Sequence, residues 1–169
     1  MSQDPRSHLR HEVLVGGISN MVFNGLIAWL LLRGGAALTW GGEHSFMIDV
    51  FATALLLPFI VALIVIPLQR GKLRKGKLQP ISLGTDSALQ SLADRFPNSV
   101  FKSALLFGLI GVAVIAPITL LAIYLAGIQS FEPTAYAVFK GVWAGLMAGL
   151  LVVPMVLVAL RAPAATAAA

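Results

Sequence analysis

The chain has 169 residues, of which 58% are apolar and 11% charged, whereas soluble proteins carry about 25% charged residues. The net charge of +5 lies mostly beside apolar segments, which favours anionic lipid head groups over nucleic acid as partners. The chain contains no cysteine, which excludes disulfides and thiolate metal sites.

Residues 1–12 are polar and predict a cytoplasmic N-terminal tail. The apolar segment 13–32 that follows is long enough to cross about 30 Å of hydrocarbon as a helix. No small-x-small cleavage site follows it, so we expect a retained membrane helix rather than a signal peptide.

This first helix carries a stripe of small and polar residues at every fourth position, formed by Gly16, Asn20, Asn24 and Ala28. An amide facing lipid would leave donors and acceptors unpaired, so the stripe is expected to face protein or water. Two interpretations follow. The amides join packed helices, or they line a polar pathway or substrate site.

A Gly-rich outer loop precedes the second predicted helix, residues 49–68, which Pro67 is expected to end. Asp49 opens this helix and Thr53 lies one turn further in. We expect Asp49 to pair with Arg33, which lies at the same depth in the hairpin, while Lys140 reaches the head groups. The alternative is a pair between Asp49 and Lys140.

A basic cluster separates the two apolar halves of the chain. Its members are Arg70, Lys72, Arg74, Lys75 and Lys77. Short positive loops beside membrane helices stay in the cytoplasm, so segment 69–98 is predicted to be a cytoplasmic loop whose cluster contacts anionic lipids. Within it, Ser87 and Gln90 fit a helix cap. A short amphipathic helix over 87–96, with Leu89, Leu92 and Phe96 on one face, would lie on the membrane surface or under the bundle.

The second hairpin is predicted over residues 99–161, with helices at 99–125 and 134–160. Lys140 lies about two turns inside the last helix, where a charge is costly. Gly141, Gly145 and Gly149 form a ridge that allows close helix packing, either internally or in a homodimer. The Ala-rich segment 162–169 is predicted to be disordered.

The two halves of the chain are weakly similar in sequence. Asn20-Met-Val-Phe-Asn24 corresponds to Asn98-Ser-Val-Phe-Lys102, and Val50-Phe51 corresponds to Val138-Phe139. Both halves start on the same side, so a duplication would give two parallel hairpin repeats related by an axis along the membrane normal.

The pattern over residues 13–80 resembles small bacterial membrane proteins loosely described as permeases or as uncharacterised. The residues concerned are Asn24-Gly-Leu-Ile-Ala-Trp29, Trp40-Gly-Gly, Asp49, Leu57-Pro58 and Ile66-Pro67, followed by a basic stretch. The resemblance implies a class of protein and no particular site residues.

Taken together, the patterns predict an all-α integral membrane four-helix bundle in a bacterial inner membrane, with both termini cytoplasmic. The favoured function is a small permease-like transporter or channel, acting as a homo-oligomer. Asn20, Asn24 and Thr53 would line its route, and Asp49 and Lys140 would lie near the outer mouth. The alternative is a non-transporting scaffold or assembly factor. Motifs for hydrolases, nucleotide binding and metal or haem binding are missing, so neither an enzyme nor a cofactor is expected.

Overall fold

The computed structural model describes residues 5–82 and 87–161, and four helical spans dominate them. In chain order the elements are α1 (Pro5–Leu32), β1 (Leu38–Thr39), α2 (Phe46–Arg74), α3 (Ala88–Asp94), α4 (Val100–Ile110), a π-helical segment (Gly111–Ile115), α5 (Ala116–Leu125), β2 (Ser130–Phe131) and α6 (Pro133–Leu160). The α4–α5 stretch is one continuous span. All four spans are long and apolar enough to cross a membrane, so the predicted all-α four-helix bundle is confirmed. The predicted disordered tail, 162–169, lies outside the described residues.

Helix α1 begins at Pro5, eight residues before the predicted start at Val13. Proline is tolerated in the first helical turn, where its missing N–H would have no partner in any case. Most of the predicted polar tail is therefore helical, and His8 and Glu12 lie on the same helix as the asparagine stripe.

Helix α2 was predicted to end at Pro67, but it continues to Arg74. A proline removes only one hydrogen bond of the helix, and membrane helices tolerate such a loss when neighbours pack around it. The helix ends where Gly76 adopts a positive φ of 67° and the Lys77 N–H bonds to the Lys72 carbonyl at 3.0 Å, as in a glycine-capped C-terminus. Three residues of the basic cluster are consequently helical.

Helix α3 is the predicted short helix, and its inner face packs under the bundle. The Ser87 hydroxyl accepts the Gln90 N–H at 3.4 Å, as the capping pattern predicts. Ala93 and Phe96 are buried, and the Phe96 ring stacks on Phe107 of α4. Leu89 and Leu92 are exposed, so the prediction that they share a face with Phe96 is wrong. Phe96 lies beyond the last helical turn, where the chain has already bent toward the core.

The α4–α5 span contains a π-helical segment immediately before Pro117. Because proline has no N–H, the regular ladder fails there, and the Ala116 N–H instead bonds five residues back to the Gly111 carbonyl. Gly108 and Gly111 face α2, where they lie against the backbone of Leu55 and Ala54. The span therefore approaches α2 most closely at its irregular turn.

The spans form a row in which α2 and α6 are central. Helix α1 packs on α6, α6 packs on α2, and α2 packs on the α4–α5 span. The exposure of α1 agrees with its place at one edge of the row, because 6% of the α1 span is buried against 67% of the α6 span. The first helix of each half thus packs on the second helix of the other half. Both halves therefore pack in the same way, as expected of two parallel hairpin repeats. The duplication itself stays a hypothesis.

The α1–α6 contact is made by the glycine ridge. A Cβ on Gly141 would lie 2.8 Å from the Met21 carbonyl oxygen, and one on Gly145 would lie 2.8 Å from the Gly17 carbonyl oxygen. Gly149 faces Val13 with ordinary spacing. The ridge was predicted to pack either within the chain or in a homodimer. The structure shows packing within the chain, with the backbone of α6 against that of α1.

The row of helices has two distinct ends. The basic end contains residues 5–12, 69–82, 87–99 and Arg161, and the loop end contains residues 33–45 and 126–132. At the loop end, β1 and β2 form a two-stranded antiparallel pair in which Leu38 is opposite Phe131. This pair joins the two loops above the helices.

Candidate functional site

The loop end contains an ion pair between two spans. Lys140 Nζ donates to both carboxylate oxygens of Asp49 at 2.7 Å. The Tyr136 hydroxyl donates to Asp49 Oδ2 at 2.5 Å. Tyr136 and Lys140 are four residues apart on α6, so both side chains reach the same point of α2. The charged side chains are partly enclosed, with 15% of Lys140 and 35% of Asp49 exposed.

The expected pair between Asp49 and Arg33 is therefore wrong. The Arg33 guanidinium instead lies 4.9 Å from the centre of the Trp29 ring, in a cation–π contact at the end of α1. The reason is the packing order, because α6 packs between α1 and α2 although those two helices belong to one hairpin. The partner of Asp49 comes from α6, which lies directly beside α2.

Aromatic rings surround this ion pair. Phe46 contacts Trp40 at 4.8 Å and Phe131 at 5.2 Å between ring centres, and Tyr136 lies 5.5 Å from Phe131. The Trp40 indole donates to the Ile128 carbonyl at 2.9 Å, which joins the 33–45 loop to the 126–132 loop. The rings pack the apolar part of the loop end and hold the Tyr136 hydroxyl in place.

The asparagine stripe lies along the α1–α6 contact, and its amides bond within their own helix. Asn20 Nδ2 donates to the Gly16 carbonyl at 2.8 Å, and Asn24 Nδ2 donates to the Asn20 carbonyl at 3.0 Å. Both residues are half-buried. Each bond pairs one of the two amide N–H donors with a carbonyl of the preceding turn, without a partner helix.

The predicted pathway residues do not all lie together in the structure. Asp49 and Lys140 meet on the side of α6 that faces α2, whereas Gly141, the next residue, faces α1. Thr53 is half-buried one turn beyond Asp49 on α2. Among the described residues no hydrogen bond links either asparagine to the ion pair. The candidate residues therefore form two groups on opposite sides of α6.

The basic end contains a second polar cluster, which the sequence analysis missed. His8 Nε2 lies 3.1 Å from the buried Gln69 Oε1, and Lys72 Nζ lies 3.2 Å from Glu12 Oε1. These contacts join α1 to the end of α2. A signal was present, because His8 and Glu12 extend the asparagine stripe backward at the same spacing of four residues. Tyr136, four residues before Lys140, could have been found in the same way.

The predicted lipid-contact cluster is divided by the helical conformation of residues 70–74. Arg70 and Arg74, one turn apart, line a cavity at the basic end, whereas Lys72 faces Glu12. Lys75 and Lys77 are exposed beyond the helix.

The basic-end cavity has a volume of about 1460 Å³. Four arginines line it, two of which come from distant parts of the chain: Arg70, Arg74, Arg95 and Arg161. Apolar residues form other parts of its wall, among them Ile81, Phe96 and Val158. The cavity therefore offers both positive charge and apolar surface at the end of the spans.

These features define the class to which the protein belongs, that of multi-pass membrane proteins. Comparisons of the chain with protein-family models, curated proteins and solved structures find no match.

Proposed function

We propose that the protein is a small permease-like membrane transporter or channel, without enzymatic activity, and that it acts as a homo-oligomer. The observation that carries this proposal is the ion pair between Asp49 and Lys140 inside two predicted spans. A buried ion pair is often no more stabilising than apolar residues of the same size. Ionisable groups inside membrane spans typically mark ion or substrate pathways.

The arrangement of the row supports an oligomer. Among the described residues, α1 packs mainly on α6 and meets α2 only through polar side chains at the basic end, and large apolar side chains such as Leu14, Ile18 and Phe23 are exposed along it. The α1–α6 contact is closed by glycines, so a continuous route through it has little room within one chain. A route formed between copies would use the half-buried polar residues at their edges.

We place the protein in a bacterial inner membrane, with both termini in the cytoplasm. The basic end carries most of the Lys and Arg residues, and such residues are retained on the cytoplasmic side. In this orientation the Asp49–Lys140 pair lies at the outer mouth, and the basic-end cavity opens inward.

A scaffold or assembly factor is the second candidate, and one observation favours it. Asn20 and Asn24 donate to carbonyls of their own helix beside a tight glycine contact. In a scaffold such bonds within the helix pair one N–H of each amide and so reduce the need for water there.

Cysteine labelling distinguishes the two candidates, because the native chain contains no cysteine. A single cysteine replaces Asn24 or Thr53, with Lys77→Cys as an aqueous control and Ile118→Cys, exposed on the α4–α5 span, as a membrane control. A transporter requires the cysteine at position 24 or 53 to react with a small water-soluble thiol reagent in intact vesicles. Labelling as weak as at position 118 for both would refute a hydrated route and favour the scaffold.

Asn24→Ala supplies the complementary measurement. In a transporter the variant remains folded, because one amide bond in a membrane is usually worth about 0.6–2 kcal/mol. In a scaffold it lowers the unfolding temperature.

A further inference from the structure

Two arginines from different helices converge at the basic end. Arg70, near the end of α2, donates from Nη1 to the Asn98 carbonyl at 2.7 Å. Arg161, directly after α6, donates from Nη2 to the Asn98 side-chain oxygen. Their positive charges are close enough to act on each other. Asn98 thus holds together two like charges that would otherwise repel.

Arg161 is positioned by the end of the short helix α3. Its Nη1 donates to the carbonyls of Ala93 at 3.2 Å and Phe96 at 2.7 Å. The Ala93 carbonyl lies in the last turn of α3, where a cation is favourable, and the Phe96 carbonyl follows two residues beyond that helix. The guanidinium is therefore fixed in place rather than free to extend into solvent.

Arg74 and Arg95 add two further charges to the same cavity. Within the described part of the chain neither guanidinium makes a hydrogen bond or an ion pair with another residue. Asp94 is the one acidic residue among the described residues that line the cavity, and its Oδ1 accepts from Gln90 Nε2 at 2.9 Å. The four guanidiniums therefore outnumber the carboxylates described at the cavity, and those of Arg74 and Arg95 have unused donors.

We propose that the basic-end cavity is a binding site for a phosphate group, carried either by an anionic lipid or by a soluble phosphate ester. Guanidinium groups bind phosphate oxygens through paired, charge-assisted hydrogen bonds. The cavity lies at the ends of the spans, at the depth where lipid phosphates lie, and its wall includes Ile81, Phe96 and Val158, against which acyl chains could pack. This inference goes beyond the proposed transport and does not require it.

Two variants with the same change in charge test the site. Arg74→Gln with Arg95→Gln removes two charges from the cavity, and Lys75→Gln with Lys77→Gln removes two charges from the exposed segment beside it. The purified full-length protein, in an uncharged detergent at about 0.15 M salt, is titrated calorimetrically with three probes. These are inorganic phosphate, dihexanoyl-phosphatidylglycerol, and dihexanoylglycerol, which has the same acyl chains without phosphate.

We expect saturable binding of at least one phosphate probe, weakened by about a hundredfold or more in the arginine variant, since that variant removes two charge-assisted contacts. In the lysine variant the affinity should change by no more than about threefold, because exposed charges outside the cavity are screened. Stronger binding of phosphatidylglycerol than of inorganic phosphate identifies a lipid site, and equal binding identifies a soluble phosphate ester.

The proposal would be overturned if neither phosphate probe binds, if both variants weaken binding equally, or if dihexanoylglycerol binds as well as phosphatidylglycerol. Thermal unfolding of each variant verifies the fold. If the arginine double variant unfolds, Arg95→Gln alone provides the same comparison against Lys77→Gln.

Discussion

Gly111 lies so close to Ala54 that a Cβ placed on the glycine would fall 1.9 Å from the Ala54 carbonyl oxygen. The contact joins the π-helical segment to the middle of α2, beside Pro58, whose ring lies 3.0 Å from the same position. Because the obstacle is backbone, no side-chain rotation can relieve it. The α4–α5 span can occupy its place in the row only while residue 111 is glycine.

Gly111→Ala should therefore destabilise the protein. Overpacking of a tight contact costs about 1–3 kcal/mol, and the rigid carbonyl places this substitution at the upper end of that range. Thermal unfolding in detergent measures the effect. Gly71→Ala is the matched control, since a Cβ there meets nothing within 4 Å and alanine favours a helix over glycine. Equal unfolding temperatures for the two variants would contradict the packing.

The glycine ridge of α6 should stabilise the α1–α6 contact rather than a dimer. Gly145→Ala would place a methyl group 2.7 Å from the Met21 Cβ, whereas Gly149→Ala would meet Val13 at 3.6 Å, an ordinary distance. We expect Gly145→Ala to lower the unfolding temperature, Gly145→Leu to lower it further, and Gly149→Ala to leave it nearly unchanged. If Gly145→Leu instead yields a folded monomer from a native dimer, the ridge forms a subunit interface.

Asp49 and Lys140 should be energetically coupled. Asp49→Asn and Lys140→Gln each leave a partly enclosed charge without its partner, so each should lower the stability, and the double variant should lower it by less than the sum. Residues in direct contact typically couple by about 0.5–3 kcal/mol. A double-mutant cycle in denaturant provides the measurement.

The control for this cycle pairs Asp49→Asn with Arg33→Gln. Arg33 contacts Trp29 rather than Asp49, so those two effects should add. Additive effects for Asp49 with Lys140, together with coupling to Arg33, would show that the ion pair belongs to the first hairpin.

The proposed orientation predicts the activity of reporter fusions. An enzyme active only in the cytoplasm should be active when fused after Lys77 or Ala169, and silent when inserted in the Gly34–Glu43 loop. The physical reason is the retention of the basic cluster on the cytoplasmic side. The reverse pattern would invert the topology and place the basic-end cavity outside.

Some features of the site depend on both the local sequence pattern and the tertiary packing. The four-residue spacing of Asn20 and Asn24 correctly placed both on one side of α1, because helical periodicity is a local property. Whether an amide bonds to its own helix or to another depends on the groups that the neighbouring helix presents, and here both amides donate to carbonyls of α1. The end of α2 was misjudged for a related reason, since surrounding contacts offset the hydrogen bond that Pro67 removes.

The sequence by itself determined the number of spans, their approximate positions and the short helix capped by Ser87. These features follow from the length of apolar runs and from local hydrogen bonding, which depend on neighbouring residues in the chain. Only the tertiary structure decided that α1 packs on α6, that Lys140 rather than Arg33 meets Asp49, and that Arg161 joins Arg70 at Asn98. Asp49 and Lys140 are 91 residues apart, and membrane helices of similar hydropathy do not specify their neighbours by hydropathy. Close packing of small residues selects those neighbours, and it does so only when the facing surfaces are brought together.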